Sequence, residues 1–422
     1  MPTNKFSSAR STIDGIMPYA WAVVWFFPVF SLKFSLLAIW LFGLAVIIRA
    51  IILKPEIKRK QMIWLVLPGI LFFWYLISFL FTPGPDQGWM PLEKKSSLLL
   101  IPFLMLLATN IKGIDLKWAM RGFMAALLVT GVHLLGRTAF LAISGADTDS
   151  FTYHGFVAPY HIGAIYYSWY LSIALVYLLF KKDDPLIAPY RIYLVAGFMI
   201  LLMLAASKLF ILMMIPLVIW KVISRPSILK NRVWAASIGA ILLFIVSLPF
   251  LERMNELGSG SFKTVMSEKF EYDTPLNGVT LRLIQWRFGM EILDESGSWL
   301  TGTGPGNSQA QLNEKYMQHG IYTGNPQLGD SGYLNYNFHN QYVETIVGTG
   351  IPGLVILLGI MAAILIRKAK VYLFPLPVFI ITAIFFLTES VLERQAGIVV
   401  FALLLSSIKP LSNPFYKIQI SE

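Results

Sequence analysis

Runs of roughly 17 to 25 apolar residues, each long enough to cross a ~30 Å hydrocarbon layer as a helix, recur along most of the chain. Twelve segments fit this pattern or come close to it, near 16–32, 34–53, 62–82, 97–110, 118–143, 157–180, 189–206, 208–224, 233–251, 338–366, 374–389 and 395–408. The fourth, eleventh and twelfth are the shortest. The pattern predicts an all-α polytopic membrane protein of about twelve transmembrane helices, divided as 1–251 (helices 1–9), 252–337 (a long polar loop with short helices) and 338–422 (a motif-bearing helix, helices 10–12 and a tail). The loop is rich in Gly, Asn, Ser, Gln and Tyr, and a connection of this length is either functional or disordered. Within it, Leu281, Ile284, Phe288 and Ile292 recur at helical spacing, so an ordered loop is expected. Arg282 and Trp286, four residues apart, share a neighbouring face.

Composition sharpens this picture. The chain is 56% hydrophobic and 14% charged, with a mean hydropathy of +0.65, against about 45–50% apolar and ~25% charged in soluble chains. A soluble fold is excluded. The absence of cysteine removes disulfide frameworks, thiolate catalysis, iron–sulfur clusters and thiolate zinc sites. The net charge of +11 suggests nucleic acid only until the basic residues are placed. With the N-terminus inside, the cytoplasmic segments hold 22 of the 34 Lys and Arg residues, and six of the other twelve lie in the long loop, where the positive-inside rule has little force. The charge therefore reports orientation, not a nucleic-acid partner: both termini are expected in the cytoplasm and 252–337 in the periplasm. The first apolar run lacks a small-residue cleavage site and reads as a retained span.

The segment from His339 to Gly353 joins the loop to the tenth span. A helix over 338–366 would be about 43 Å long, well over the ~30 Å apolar layer, so its front third should project outward. Pro352 cannot donate to the Gly348 carbonyl, and Gly348, Gly350 and Gly353 permit a bend there. A short outer helix hinged on a membrane helix is expected, with Asn337 as N-cap and His339 in the first turn. There the helix dipole disfavours the imidazolium and leaves a neutral imidazole competent to accept a proton. An interfacial histidine making a structural hydrogen bond fits the same position equally well.

His339-Asn340, nine residues, then Gly350-Ile351-Pro352-Gly353 resembles the motif of bacterial O-antigen ligases, a His, an Asn, Ser or Gln, nine residues and Gly-x-x-Gly. Upstream, Arg282-Leu-Ile-Gln-Trp286 and Gly302-Thr-Gly304-Pro-Gly306-Asn307 resemble the arginine-bearing helix and glycine turn of the O-antigen ligase and polymerase superfamily. The resemblance implies a glycosyltransferase of the bacterial inner membrane, and a single displacement needing one base and one stabilised leaving group makes an inverting reaction without metal or cofactor the expectation. It would move a glycan from undecaprenyl diphosphate to a sugar hydroxyl of lipid A-core, at the periplasmic face and among membrane lipids. His339 would deprotonate the acceptor, and Arg282 and Lys208 would hold the diphosphate, Lys208 standing in Ser207-Lys208 where the family commonly has Ser-Arg. Lysine keeps the charge but loses the two-pronged geometry of arginine. Trp286, Asn340, Glu344 and His161 are candidates to contact substrate or orient the site.

Other readings stay open. A polymerase or a protein O-oligosaccharyltransferase of the same superfamily uses similar parts, and a lipid or glycan transporter would show paired halves with interrupted helices. Asp147-Thr148-Asp149 has a cation-binding spacing but lies in the wrong outer loop for polyprenyl-linked transferases. His154 and His161, with Tyr153, Tyr160, Tyr166 and Tyr167, read as an aromatic belt more readily than as substrate contacts. In the turn Glu389 to Gln395, Arg394 is placed to neutralise Glu389 or Glu393.

Overall fold

A computed structural model describes residues 3–54, 59–82, 89–108, 113–181, 184–223, 263–271, 276–325, 329–369 and 375–407, with a few single positions between them. The predicted ninth span, the first part of the long loop and the tail with Lys409 and Lys417 lie outside the described residues.

Among the described residues the chain is helical and carries no β-strand. The helices in order are α1 (Thr3–Phe30), α2 (Leu32–Leu53), α3 (Arg59–Phe81), α4 (Met90–Lys95), α5 (Ser97–Leu107), α6 (Leu116–Ile143), α7 (Tyr153–Val157), α8 (Ala164–Phe180), α9 (Arg191–Leu204), α10 (Lys208–Ile223), α11 (Gly278–Ser296), α12 (Ser308–Gln318), α13 (Gln341–Ala369), α14 (Pro375–Phe386) and α15 (Gln395–Ser407). Every predicted span except the sixth and the ninth overlaps one helix here. By length and composition, Leu32–Ile52, Leu116–Ile143 and Gln341–Ile364 suffice to cross a membrane, and the other apolar helices are shorter. The sixth predicted span is bent by 82° between Tyr153–Tyr160 and Ala164–Phe180. His161, at φ 53°, turns the chain there, so only the part from Ala164 runs as a long apolar helix.

Two apolar cores form. The larger unites the apolar helices around Trp21, Trp25, Trp169 and Tyr170. A separate one lies in the polar loop, where Ile284, Phe288 and Ile292 of α11 pack with Leu312 and Tyr316 of α12 and with Phe338, Ile346 and Val347 at the start of α13. The stripe expected on α11 is buried, and Asn277 caps that helix by accepting from the N–H groups of Val279 and Thr280. The described part of the loop is thus an ordered unit clamped onto the start of α13. Lys315 tightens it: burial opposes its charge, but the carboxylates of Glu295 and Glu291 hold its ammonium above the usual lysine range.

Candidate active site

The segment that begins α13 differs from expectation in two details that matter chemically. Asn337 does not cap the helix; its Oδ1 accepts from the His339 N–H at 3.0 Å, a local turn. Asn340 is the cap, its Oδ1 accepting from Tyr342 N at 2.9 Å and Val343 N at 3.2 Å. His339 therefore precedes the helix, at φ 45°. The extra residue of turn satisfies the first N–H groups of α13 from Asn340 and places His339 outside the helix.

The second difference concerns the break. It falls at Gly350, whose φ 72° and ψ −177° interrupt α13, and not at Pro352, which sits where the second half restarts. The carbonyls orphaned by the break are claimed from outside. Thr303 N donates to Val347 O at 2.7 Å, Gly304 N to Gly348 O at 3.1 Å, and Ile351 N donates to Trp299 O at 2.8 Å. From α3, Ser78 Oγ donates to Gly348 O at 2.9 Å and Trp74 Nε1 to Thr349 O at 2.7 Å. The glycine turn at 302–304 thus plugs into the broken helix. A Cβ on Gly302 would collide with the backbone at Thr349, and one on Gly350 with the Leu300 carbonyl. Gly353, the other motif glycine, makes room for the Thr349 hydroxyl and Trp74.

His339 Nδ1 lies 3.4 Å from Glu389 Oε2, with the two side chains 24% and 9% exposed. An imidazole whose Nδ1–H is held by a carboxylate presents the Nε2 lone pair outward, the arrangement of an oriented general base. The expected Arg394 pairing with Glu389 or Glu393 is not formed. Glu393 instead takes the buried Lys95, at 2.7 and 2.8 Å, while Arg394 is exposed and lies over the Tyr166 ring, 6.0 Å from its centroid. Lys95 is committed to the carboxylate four residues from Glu389, leaving Glu389 to the histidine. Neither partner follows from spacing, because the residues paired stand 50 and 298 positions apart.

The remaining candidates fall into two groups. Trp286 Nε1 donates to Phe338 O at 3.0 Å, gripping the backbone immediately before His339, and its half-buried ring is engaged in this support. Glu344 is buried at 6% exposure and receives the hydroxyls of Ser308 and Ser390, each at 3.1 Å. It ties α12 and the turn between α14 and α15, which carries Glu389, to the helix that follows His339. Asn340, Trp286 and Glu344 thus all bond to backbone or turns adjoining His339. Arg282 lies on the half-buried face of α11 one turn before Trp286, its Nη1 donating to Gly278 O at 2.9 Å. Lys208, exposed, opens α10 without an ion pair among the described residues. Phe210, one half-turn on, packs against Phe385 at 5.2 Å, and Phe385 is four residues before Glu389, so the start of α10 neighbours the same turn. His161 is exposed at its left-handed turn, and among the described residues no hydrogen bond joins it to the His339 cluster. Asp147 and Asp149 lie on an exposed turn before α7.

Among the described residues these features make a helical protein with several apolar helices, consistent with a membrane protein, in which a histidine paired with a carboxylate stands at the junction of an ordered polar segment and a broken apolar helix. Residues 192–358 match the family model described as O-antigen ligase, which supports membership of the O-antigen ligase and polymerase superfamily. The matched stretch contains Lys208, Arg282, His339, Gly350 and Gly353 and ends before Glu389. No curated protein matches the chain.

Proposed function

We propose that this protein is an O-antigen ligase, transferring a glycan from undecaprenyl diphosphate to a sugar hydroxyl of lipid A-core at the periplasmic face of the bacterial inner membrane. The observation that carries the reading is His339 held through Nδ1 by Glu389, at the point where the polar loop meets the membrane helix. In this scheme the acceptor hydroxyl attacks the anomeric carbon from the face opposite the diphosphate, Nε2 of His339 takes its proton, and the anomeric C–O bond to phosphate breaks. The bonding pair leaves with the diphosphate, so configuration inverts and no glycosyl–enzyme intermediate forms. A base in hydrogen-bond reach contributes about 10²–10⁴-fold, and fixed cations facing the diphosphate stabilise the leaving charge. Arg282 supplies a planar fork for two phosphate oxygens, and Lys208 a point charge. The scheme uses no metal.

The deciding experiment is transfer by purified protein from a defined lipid-linked donor to lipid A-core in the presence of EDTA. Wild-type product with inverted linkage, and its loss in His339→Ala, are expected. Addition of repeat units to a second lipid-linked glycan instead of to core identifies a polymerase, and undiminished turnover by His339→Ala removes the base assignment.

A further inference from the structure

The turn that delivers His339 also displays an aromatic ring to solvent. Tyr336 is 45% exposed, and its hydroxyl has no hydrogen-bond partner among the described residues. Its ring stands 6.0 Å from the His339 ring and 5.7 Å from that of Tyr333, both contacts edge-to-face. Beyond Tyr333 lies a cavity of about 110 Å³ whose wall includes Tyr333, Tyr322, Phe270, Thr274 and the carboxylate-bearing Glu271. An aromatic line therefore runs from the cavity to the imidazole.

The backbone under Tyr336 is held more firmly than a surface anchor requires. Its carbonyl accepts from Tyr316 Oη at 3.0 Å and Gln309 Nε2 at 3.2 Å. Burial keeps the Tyr316 phenol protonated far above the usual tyrosine range, so this donor persists at any physiological pH. One residue earlier, Asn335 sits at φ 67°, and Asn313 secures it twice: Asn335 N donates to Asn313 Oδ1 at 3.0 Å and Asn313 Nδ2 to Asn335 Oδ1 at 3.1 Å. Two left-handed non-glycine residues, Asn335 and His339, bracket the exposed ring. Such conformations cost free energy and persist where the surroundings over-determine them, typically around ligands. With its backbone held in this way, Tyr336 presents its ring at a defined point, so binding there orders little of the main chain.

We propose that Tyr336 and Tyr333 form a saccharide subsite leading to His339, with one pyranose ring lying against Tyr336 and the next reaching Tyr333 and the Glu271 cavity. The apolar C–H face of a sugar suits an aromatic ring, while carboxylate and hydroxyl groups beside it match the sugar's O–H donors. This inference rests on the glycan-transfer reading and assigns it a binding surface, taking over the aromatic role that the engaged ring of Trp286 cannot fill. The saccharide is either the donor glycan or the acceptor core, and kinetics separate the two.

Steady-state transfer by the full-length protein is measured with each substrate varied in turn. Tyr336→Ala is expected to raise the KM of one substrate roughly threefold to tenfold, with Tyr336→Trp and Tyr336→Phe close to wild type. A rise confined to the lipid-linked donor places its glycan on the tyrosines; a rise confined to lipid A-core places the acceptor there. Unchanged KM for both substrates, or equal damage from Tyr336→Phe, overturns the proposal. Saturation-transfer NMR with core oligosaccharide and O-polysaccharide released from the producing strain's lipopolysaccharide gives a readout independent of turnover. Saturation of either sugar by wild type and its loss in Tyr336→Ala support the subsite even if the ligase reading fails; absence of saturation by wild type overturns it.

Discussion

His339 stands one position before the cap of α13, and that single step determines what its ring meets. Inside the first turn it would face the helix dipole; before the cap it faces Glu389 at 3.4 Å. The carboxylate selects the tautomer with hydrogen on Nδ1, so an amide in its place removes the charge and can present its own N–H₂ to Nδ1, selecting the wrong tautomer. Glu389→Gln is therefore expected to lower kcat by at least about tenfold, within the ~10²–10⁴ that a general base supplies, while leaving the thermal midpoint near wild type. Glu389→Asp should recover part of the loss. Equal activity of Glu389→Gln and wild type would leave the pairing without consequence for turnover. At this scale the motif residues are legible in the chain, since His339, Asn340 and the glycines sit within fifteen positions. The partners are not: Glu389 reaches the histidine only because α14 ends beside α13, and Lys95 withdraws Glu393 from across the bundle.

At the scale of the element, the outward projection of the front of α13 follows from arithmetic on length, and a hinge follows from its glycines and proline. Where the hinge falls does not. Pro352 lacks only one donor, whereas the conformation at Gly350 is one that essentially glycine alone adopts, and the turn at 302–304 is shaped to cap the end it creates. That complementarity is tertiary and leaves no periodicity to read. Gly350→Ala should cost at least about 1–3 kcal/mol for the backbone conformation, before any collision with the Leu300 carbonyl. Gly348→Ala, inside the helix with its nearest neighbour 3.6 Å away at Pro305 Cα, should be neutral or slightly stabilising. Thermal unfolding of both variants in one detergent checks the contrast, and similar midpoints for the two would move the break elsewhere.

For the whole molecule, the alternation of sides inferred from charge has an internal test. Arg49 pairs with Asp14 at 2.6 Å and Arg121 with Asp184 at 2.8 Å, joining positions assigned to the cytoplasmic side. Lys95 with Glu393, His339 with Glu389, and Lys315 with Glu291 and Glu295 join positions assigned to the outer side. Among the described residues no ion pair mixes the two sets, as required of helices that share one membrane frame. These pairs are consistent with the inferred alternation and do not say which compartment either end faces; the compartment rests on the excess of Lys and Arg in the segments holding Arg49, Arg121 and Lys181. The chain's lack of cysteine makes the compartment directly measurable. Met317, 60% exposed on α12, and Leu186, 64% exposed in the connection before α9, lie on opposite assigned sides. In intact cells with a permeabilised outer membrane, an impermeant maleimide should modify Met317→Cys at once and Leu186→Cys only after the inner membrane is opened. The reverse pattern would put His339 in the cytosol, away from any acceptor sugar on the outer leaflet, and the ligase reading would fall with it.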